Sequence, residues 1–289
     1  MPASQGLEDR GRLMKLLQMA DPVRYARMTS EELRETFLLD GMFNPGKIEY
    51  AYVDLDRTVI GSAVPTGAAL TLETQPELRA EYFLERRELG VFNVGGAGSV
   101  VVDGTTFELD KMDCLYVSRG SKSVTFASKS ATEPAAFYLL SYQAHKEYPT
   151  KMVKFAELTG LALGASETCN KRTIYKAIHR DGIQSCQLVM GFTLLAPGSN
   201  WNTMPAHTHM RRSEVYFYFD VEPDQRVVHL MGPANATSHI VMADKQVVVS
   251  PGWSIHAGVG TKNYGFCWGM GGENQDYADM DPVAIKDLK

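Results

Sequence analysis

From about Gly46 onward the chain consists of short runs of β-branched and aromatic residues, each broken within a few positions by Gly, Pro, Asp or Asn. Tyr50-Ala51-Tyr52-Val53-Asp54-Leu55 and Ser99-Val100-Val101-Val102-Asp103-Gly104 are typical. Runs this closely spaced, with no helical periodicity between them, leave no room for the crossovers that parallel strands require. They predict many short antiparallel strands closed into a sandwich or barrel. The expected class is all-β: two jelly-roll lobes with short N-terminal and connecting helices.

Residues 1–45 read as an N-terminal extension and helical arm. Thr29-Ser30-Glu31-Glu32 has the spacing of a capping box, and Leu33, Phe37 and Leu38 follow on one face. A helical or irregular stretch near residues 151–168 separates two strand-rich halves, giving expected lobes over 46–160 and 161–289. The halves resemble each other: Glu85-Arg-Arg-Glu-Leu-Gly-Val-Phe-Asn-Val94 parallels Met210-Arg-Arg-Ser-Glu-Val-Tyr-Phe-Tyr-Phe219.

The chain's 289 residues, 44% of them apolar, supply enough core for two such lobes. Its formal charge of -5 comes with scattered Lys and Arg, which argues against a nucleic-acid partner. Cys114, Cys169, Cys186 and Cys267 form no CxxC pair, so they read as reduced, unligated thiols. The apolar stretch around 13–20 is short and interrupted by Lys15 and Gln18, fitting neither a signal peptide nor a membrane span. The expectation is a cytoplasmic protein with no membrane partner.

The chemistry concentrates in Pro205-Ala-His207-Thr-His209-Met-Arg-Arg-Ser-Glu214. Residues two apart on an extended segment point the same way, so His207 and His209 present both imidazoles to one point. Glu214 reaches that point if the chain bends between them, and Pro251-Gly-Trp-Ser-Ile-His256 brings a third imidazole from a later strand. Three imidazoles and a carboxylate suit Zn²⁺, with Mn²⁺, Fe²⁺ and Ni²⁺ as competitors that spacing does not exclude. His145, His179, His229 and His239 have no partner at such spacing; His229 and His239 lie between the ligand segments and are candidates for orienting a ligand ring.

This arrangement resembles the two-part cupin signature, G-x5-HxH-x3/4-E-x6-G followed by G-x5-PxG-x2-H-x3-N. Gly198, His207, His209 and Glu214 match the first part with a longer lead, and Pro251 and His256 match the second. Trp253 stands where that pattern has Gly, and Gly260 where it has Asn. The first half fits the same template with its donors replaced. Glu88 and Gly95 fall at the motif's Glu and Gly, Glu81 and Phe83 at its two His positions, and Ser118-Arg-Gly120 with Ser123 at PxG and the last His. The first lobe is therefore expected to be metal-free.

A closer resemblance covers most of the chain beyond residue 20. Tyr82-Phe-Leu-Glu-Arg-Arg-Glu-Leu-Gly90, Asn93-Val-Gly-Gly-Ala-Gly98, Trp201-Asn-Thr-Met-Pro205, His209 to Phe219, Trp253-Ser-Ile-His256 and Gly269-Met-Gly-Gly-Glu-Asn-Gln275 resemble the 5-keto-4-deoxyuronate isomerases of pectin catabolism. The resemblance implies a bicupin fold and one zinc per chain on the positions of His207, His209, Glu214 and His256. It also implies a homohexamer and the aldose–ketose isomerisation of a deoxy-keto-uronate.

Such a reaction needs an electrophile for the carbonyl and hydroxyl oxygens, which zinc supplies. It also needs a cation for the substrate carboxylate, for which Arg172, Arg211 and Arg212 are the nearest candidates. Tyr216 and Tyr218 are candidates for lining the pocket, Glu273, Lys or Arg side chains and a metal-bound hydroxide are further candidates for the base, and no catalytic base is assigned. An iron-dependent cupin dioxygenase and a sugar-binding cupin without turnover are the rival readings, since cupins host many functions. No P-loop or dinucleotide fingerprint is present: Gly95-Gly-Ala-Gly98 opens a predicted strand, not a helix.

Overall fold

The computed structural model describes residues 14–289. The expectation of an all-β, two-lobed jelly roll is met: each lobe has a seven-stranded sheet and a four-stranded sheet. The large sheet of the first half has its strands in the order Met14–Leu17, Ile48–Val53, Thr58–Ala63, Phe137–Gln143, Arg87–Asn93, Cys114–Val117, Lys151–Val153. Its counterpart runs Leu161–Leu163, Arg172–Ile178, Val189–Leu195, Gly265–Gly272, Arg212–Phe219, Val247–Ser250, Leu38–Leu39. Pairing passes from the first sheet to the second between Val153 and Leu161, across a single 3-10 turn at Phe155–Glu157.

Strand alternation decides what each face does. Along Arg212–Phe219, which is buried throughout, Val215, Phe217 and Phe219 point toward the other half of the chain, whereas Tyr216 and Tyr218 point into their own lobe. The two large sheets therefore pack face to face. Phe92 stacks on Phe192 with centroids 4.9 Å apart, and Tyr138 stacks on Phe217 at 4.5 Å, within one shared core. Each lobe also has its own core between its large and small sheets. Gly269 lies in the shared layer because any Cβ there would stand 2.0 Å from Leu140 Cδ2.

The arm departs from its expected form. Residues 1–13, part of the stretch read as helical, lie outside the described residues. Met14–Leu17 is a strand, paired in parallel with Ile48–Val53. Met14 and Leu17, of opposite parity, enter different cores, Met14 that of the first lobe and Leu17 the one shared between the lobes. Helix does form at Pro22–Tyr25 and at Ser30–Phe37, the latter closed by a reciprocal capping box between Thr29 and Glu32. Leu38–Leu39 then joins the edge of the second large sheet, so the arm is stitched into both lobes.

Candidate metal centre

The segment carrying His207 and His209 forms only a two-residue strand, paired with Asp281–Pro282 near the C-terminus. A turn at Met210 and Arg211 reverses the chain into Arg212–Phe219, and that reversal brings Glu214 back beside the imidazoles. His256 arrives on Ile255–Gly260, the strand after the Pro251 turn. The ligand atoms of His207, His209, Glu214 and His256 all lie within 4.8 Å of one another. Glu214 Oε2 is 2.8 Å from His209 Nε2 and 2.9 Å from His256 Nε2, and His256 Nε2 is 3.0 Å from His207 Nε2.

Two of the imidazoles are turned by the main chain. His209 Nδ1–H donates to the Arg212 carbonyl at 3.0 Å, and His256 Nδ1 faces the Ser254 carbonyl at 3.4 Å. A carbonyl only accepts, so the proton belongs on Nδ1 and the Nε2 lone pair faces the cluster. Several lone pairs and a carboxylate oxygen thus converge in a buried space, an arrangement that a cation resolves. Donors about 2.1 Å from one small divalent ion stand about 3 to 3.4 Å apart, close to the three short separations here. The donor set fits a divalent metal.

The electrostatics of His207 and Glu214 agree. Burial, with His256 adding to it, pushes His207 down to about 3, so it is neutral and able to ligate. Burial opposes the Glu214 charge, but His256 and His209 outweigh it and hold the carboxyl well below the usual range. For His209, burial disfavours the proton, yet the bond to Glu214 raises its affinity overall.

A cavity of about 220 Å³ opens onto this cluster. Of the arginines singled out in the sequence, Arg172 and Arg212 line it. Arg211 points away, with its side chain 56% exposed. The Arg212 side chain is buried and paired with Asp279 at 2.7 Å, whereas among the described residues Arg172 makes one side-chain hydrogen bond, to the Asn170 carbonyl at 2.8 Å. Tyr216 lines the cavity and hydrogen-bonds Thr203 Oγ1 at 2.7 Å; Tyr218 instead meets His229 Nδ1 at 2.8 Å. Glu273 is exposed and outside the cavity lining. Tyr277 and Met280, which the sequence did not flag, complete the wall from the C-terminal segment.

The other histidines do not orient the ligand rings. His229 is fully buried against Tyr218, and His239 lies on the exposed side of Ser238–Met242. Trp253, the departure from the cupin pattern, packs edge-on against Tyr25 of the arm at 5.2 Å. The unusual residue before His256 is a docking point for the N-terminal helices.

The first lobe requires a correction. Arg87 pairs with Gln143 and Leu89 with Val117; in the second lobe Arg212 pairs with Gly272 and Glu214 with Ser250. In equivalent strands, then, Leu89 holds the place of Glu214, Arg87 that of Arg212, and Glu88 that of Ser213. Glu88 faces the opposite way from a ligand, because one residue along a strand reverses the face. It is fully buried between the lobes, accepting from the main-chain N–H of Cys186, Gln187 and Leu188 at 2.6, 2.8 and 2.8 Å and from Tyr116 Oη at 2.9 Å. Among the described residues, the four-donor cluster of the second lobe is the only grouping of three or more such donors.

Comparison with known proteins agrees with this architecture. The KduI/IolB family profile matches residues 43–285. A "4-deoxy-L-threo-5-hexosulose-uronate ketol-isomerase" from Caldicellulosiruptor bescii is 52% identical over 268 residues, 93% of this chain and 97% of that protein. One of the same description from Formosa agariphila is 52% identical over 270 residues, 93% and 96% of the two chains. Among solved structures, an IolB-like protein from Salmonella typhimurium LT2 superposes with a TM-score of 0.70 at 14% identity, covering 86% of this chain and 97% of that one. An oxalate decarboxylase from B. subtilis gives 0.60 at 11% identity over 86% and 79%. At such identities these two speak to the fold alone.

Proposed function

We propose a function from an established premise: this chain belongs to the KduI/IolB family. It is an aldose–ketose isomerase that converts 4-deoxy-L-threo-5-hexosulose uronate to 3-deoxy-D-glycero-2,5-hexodiulosonate in pectin and uronate catabolism. The observation that carries this reading is the half-identity, over nearly the whole chain, to relatives described by that reaction. These relatives do not favour either rival, an iron dioxygenase or a non-catalytic sugar-binding cupin.

The reaction moves a hydrogen between neighbouring carbons, turning an aldehyde beside a hydroxyl into a ketone beside a terminal hydroxyl. His207, His209, Glu214 and His256 hold one zinc ion per chain, in the lobe spanning 161–289; the lobe spanning 46–160 binds none, and residues 1–45 form the arm. Zinc, when bound, supplies a Lewis acid for the substrate's oxygens. Arg172 takes the substrate carboxylate, since Arg212 is committed to Asp279 and Arg211 faces solvent. Burial, with Glu214 nearby, raises the Tyr216 hydroxyl well above its ordinary value, so it stays protonated and donates to a substrate oxygen. Tyr277, pushed up to about 12 chiefly by burial, lines the same cavity and does the same.

The enzyme is cytoplasmic and assembles as a homohexamer, with no nucleic-acid or membrane partner. Its net charge of -5 supports the absence of a nucleic-acid role, and among the described residues no helix is long and apolar enough to cross a membrane. Incubating the purified protein with 4-deoxy-L-threo-5-hexosulose uronate under argon tests the activity. Conversion without oxygen or nicotinamide is expected. Zinc-loaded protein that leaves this substrate unchanged would overturn the reading.

A further inference from the structure

The strand register makes Arg87 the first lobe's counterpart of Arg212, and Arg87 also lines a cavity, one of about 360 Å³. Where the second lobe presents metal donors, the first presents cations. Arg86, Arg87 and Arg119 line this space, together with Gln143, His145 and Phe83.

The geometry points to a second small-molecule site in the first lobe, one that takes the carboxylate of a sugar acid. Arg87 is 5% exposed and has no carboxylate partner among the described residues. Its Nε donates to Ser141 Oγ at 3.1 Å, and its Nη2 donates to the carbonyls of Arg57 and Ser141, both at 2.7 Å. Nη1 has no partner among the described residues. A buried guanidinium held by neutral groups carries a desolvation cost that an anion in the adjoining cavity offsets. Burial lowers Arg87 only to about 10, so it remains charged at neutral pH.

The surrounding groups favour an acid with hydroxyls over a bare ion. Arg119 spends its Nε on the Glu85 carbonyl at 3.1 Å, which aims the rest of the guanidinium without neutralising it. Glu85 lies 3.4 Å from Arg86; among the described residues neither Arg87 nor Arg119 forms an ion pair, and the charges of Glu88 and Glu85 reach them only from beyond that range. The side-chain amide of Gln143 makes no hydrogen bond to described residues and is available to a hydroxyl. With Phe83 adding an apolar wall, the space holds a six-carbon acid with its carboxylate on the arginines.

Titration calorimetry with D-galacturonate tests this in the His207→Ala, His209→Ala protein, where the metal pocket is disabled. One binding event per chain is expected, weakened at least tenfold by adding Arg119→Gln or Arg87→Gln and absent with D-galactose. Arg119 is half-buried on a loop, so its variant serves if Arg87→Gln fails to fold. No binding, or equal affinity in Arg119→Gln, would overturn the proposal. Displacement of galacturonate by an equal concentration of inorganic phosphate would overturn it too, marking a site for any oxyanion.

Discussion

Arg212 and Asp279 form an ion pair of 2.7 Å in which the arginine side chain is 1% exposed. The same guanidinium donates to the main chain at Asp276, and the segment it holds brings Tyr277 and Met280 to the cavity wall. The pair ties the C-terminal segment to the strand that carries Glu214. Asp279→Ala strands a buried charge, a change that costs about 3 kcal/mol when no new partner forms. Urea denaturation should show a loss of that order. KM should rise while metal content in the folded fraction stays the same, because none of the four metal donors contacts Asp279.

Glu88 makes a separate prediction, about the seam between the lobes. Three main-chain N–H groups and a tyrosine hydroxyl converge on its carboxylate with no exposed surface. Glu88→Ala leaves all four donors unsatisfied and should lower stability by about 3 kcal/mol or more, given the desolvation cost of each. Glu88→Gln, which keeps one acceptor oxygen, should lose less. Zinc content per folded chain should not change in either, which separates a seam residue from a ligand.

Why Glu88 misleads in the sequence is a matter of parity. Motif spacing aligns Glu88 with Glu214, but the ladders align Leu89 with it, and a slip of one residue turns a core-facing group into a seam-facing one. Spacing alone carries no register when turns differ in length. The four candidate ligands suffer less, because an HxH pair fixes its own relative direction and the Pro251 turn delivers His256 regardless of loop length. The fold class was legible for the same reason, since punctuated strands are a local signal. Met14–Leu17 was not: Lys15 and Leu16 face outward in a pattern that suits a helix or an edge strand equally, and the choice rests on the remote partner strand Ile48–Val53. Arg172, Arg211 and Arg212 could not be ranked either, because Asp279, which pairs with Arg212 and lies 3.8 Å from Arg211, is over sixty residues away from the nearest.

Arg172 can now be singled out. It lines the cavity with one main-chain hydrogen bond and no acidic partner among the described residues, so its free donors are available to a substrate carboxylate. A charge-assisted hydrogen bond is worth about 1.5–3 kcal/mol, which corresponds to roughly 10–100-fold in kcat/KM for Arg172→Met. Arg172→Lys should recover part of that loss, since it keeps the charge but not the fork. Equal kinetics in all three proteins would remove Arg172 from the site.

Removing the paired imidazoles addresses the metal directly. His207→Ala with His209→Ala leaves one carboxylate and one imidazole, too few to retain zinc through dialysis. Elemental analysis should fall from about one zinc per chain to near zero. Far-ultraviolet circular dichroism should be preserved, because the lobe's core is built from residues such as Tyr218, Phe266 and Met231, not from the ligands. Two zinc ions per wild-type chain, or metal surviving the double substitution, would contradict the assignment to a single lobe.

The route of the hydrogen gives the last prediction. In an aldose–ketose isomerisation the hydrogen leaves one carbon and arrives at its neighbour, either as a proton through a base that exchanges with solvent or as a hydride that never leaves the substrate. The cavity here is lined by exchangeable groups: the Tyr216 hydroxyl bonded to Thr203, the Tyr277 hydroxyl and the Arg172 guanidinium. A proton lifted into such surroundings has several partners with which to exchange before it returns. Turnover in D₂O should therefore place deuterium on the new hydroxymethyl carbon of the product, read by mass and by proton NMR. Thr203→Val, which removes the partner of the Tyr216 hydroxyl, should reduce the deuterium fraction more than it reduces zinc content. A product free of deuterium at every stage of conversion would instead support direct hydride transfer and remove these hydroxyls from the proton's path.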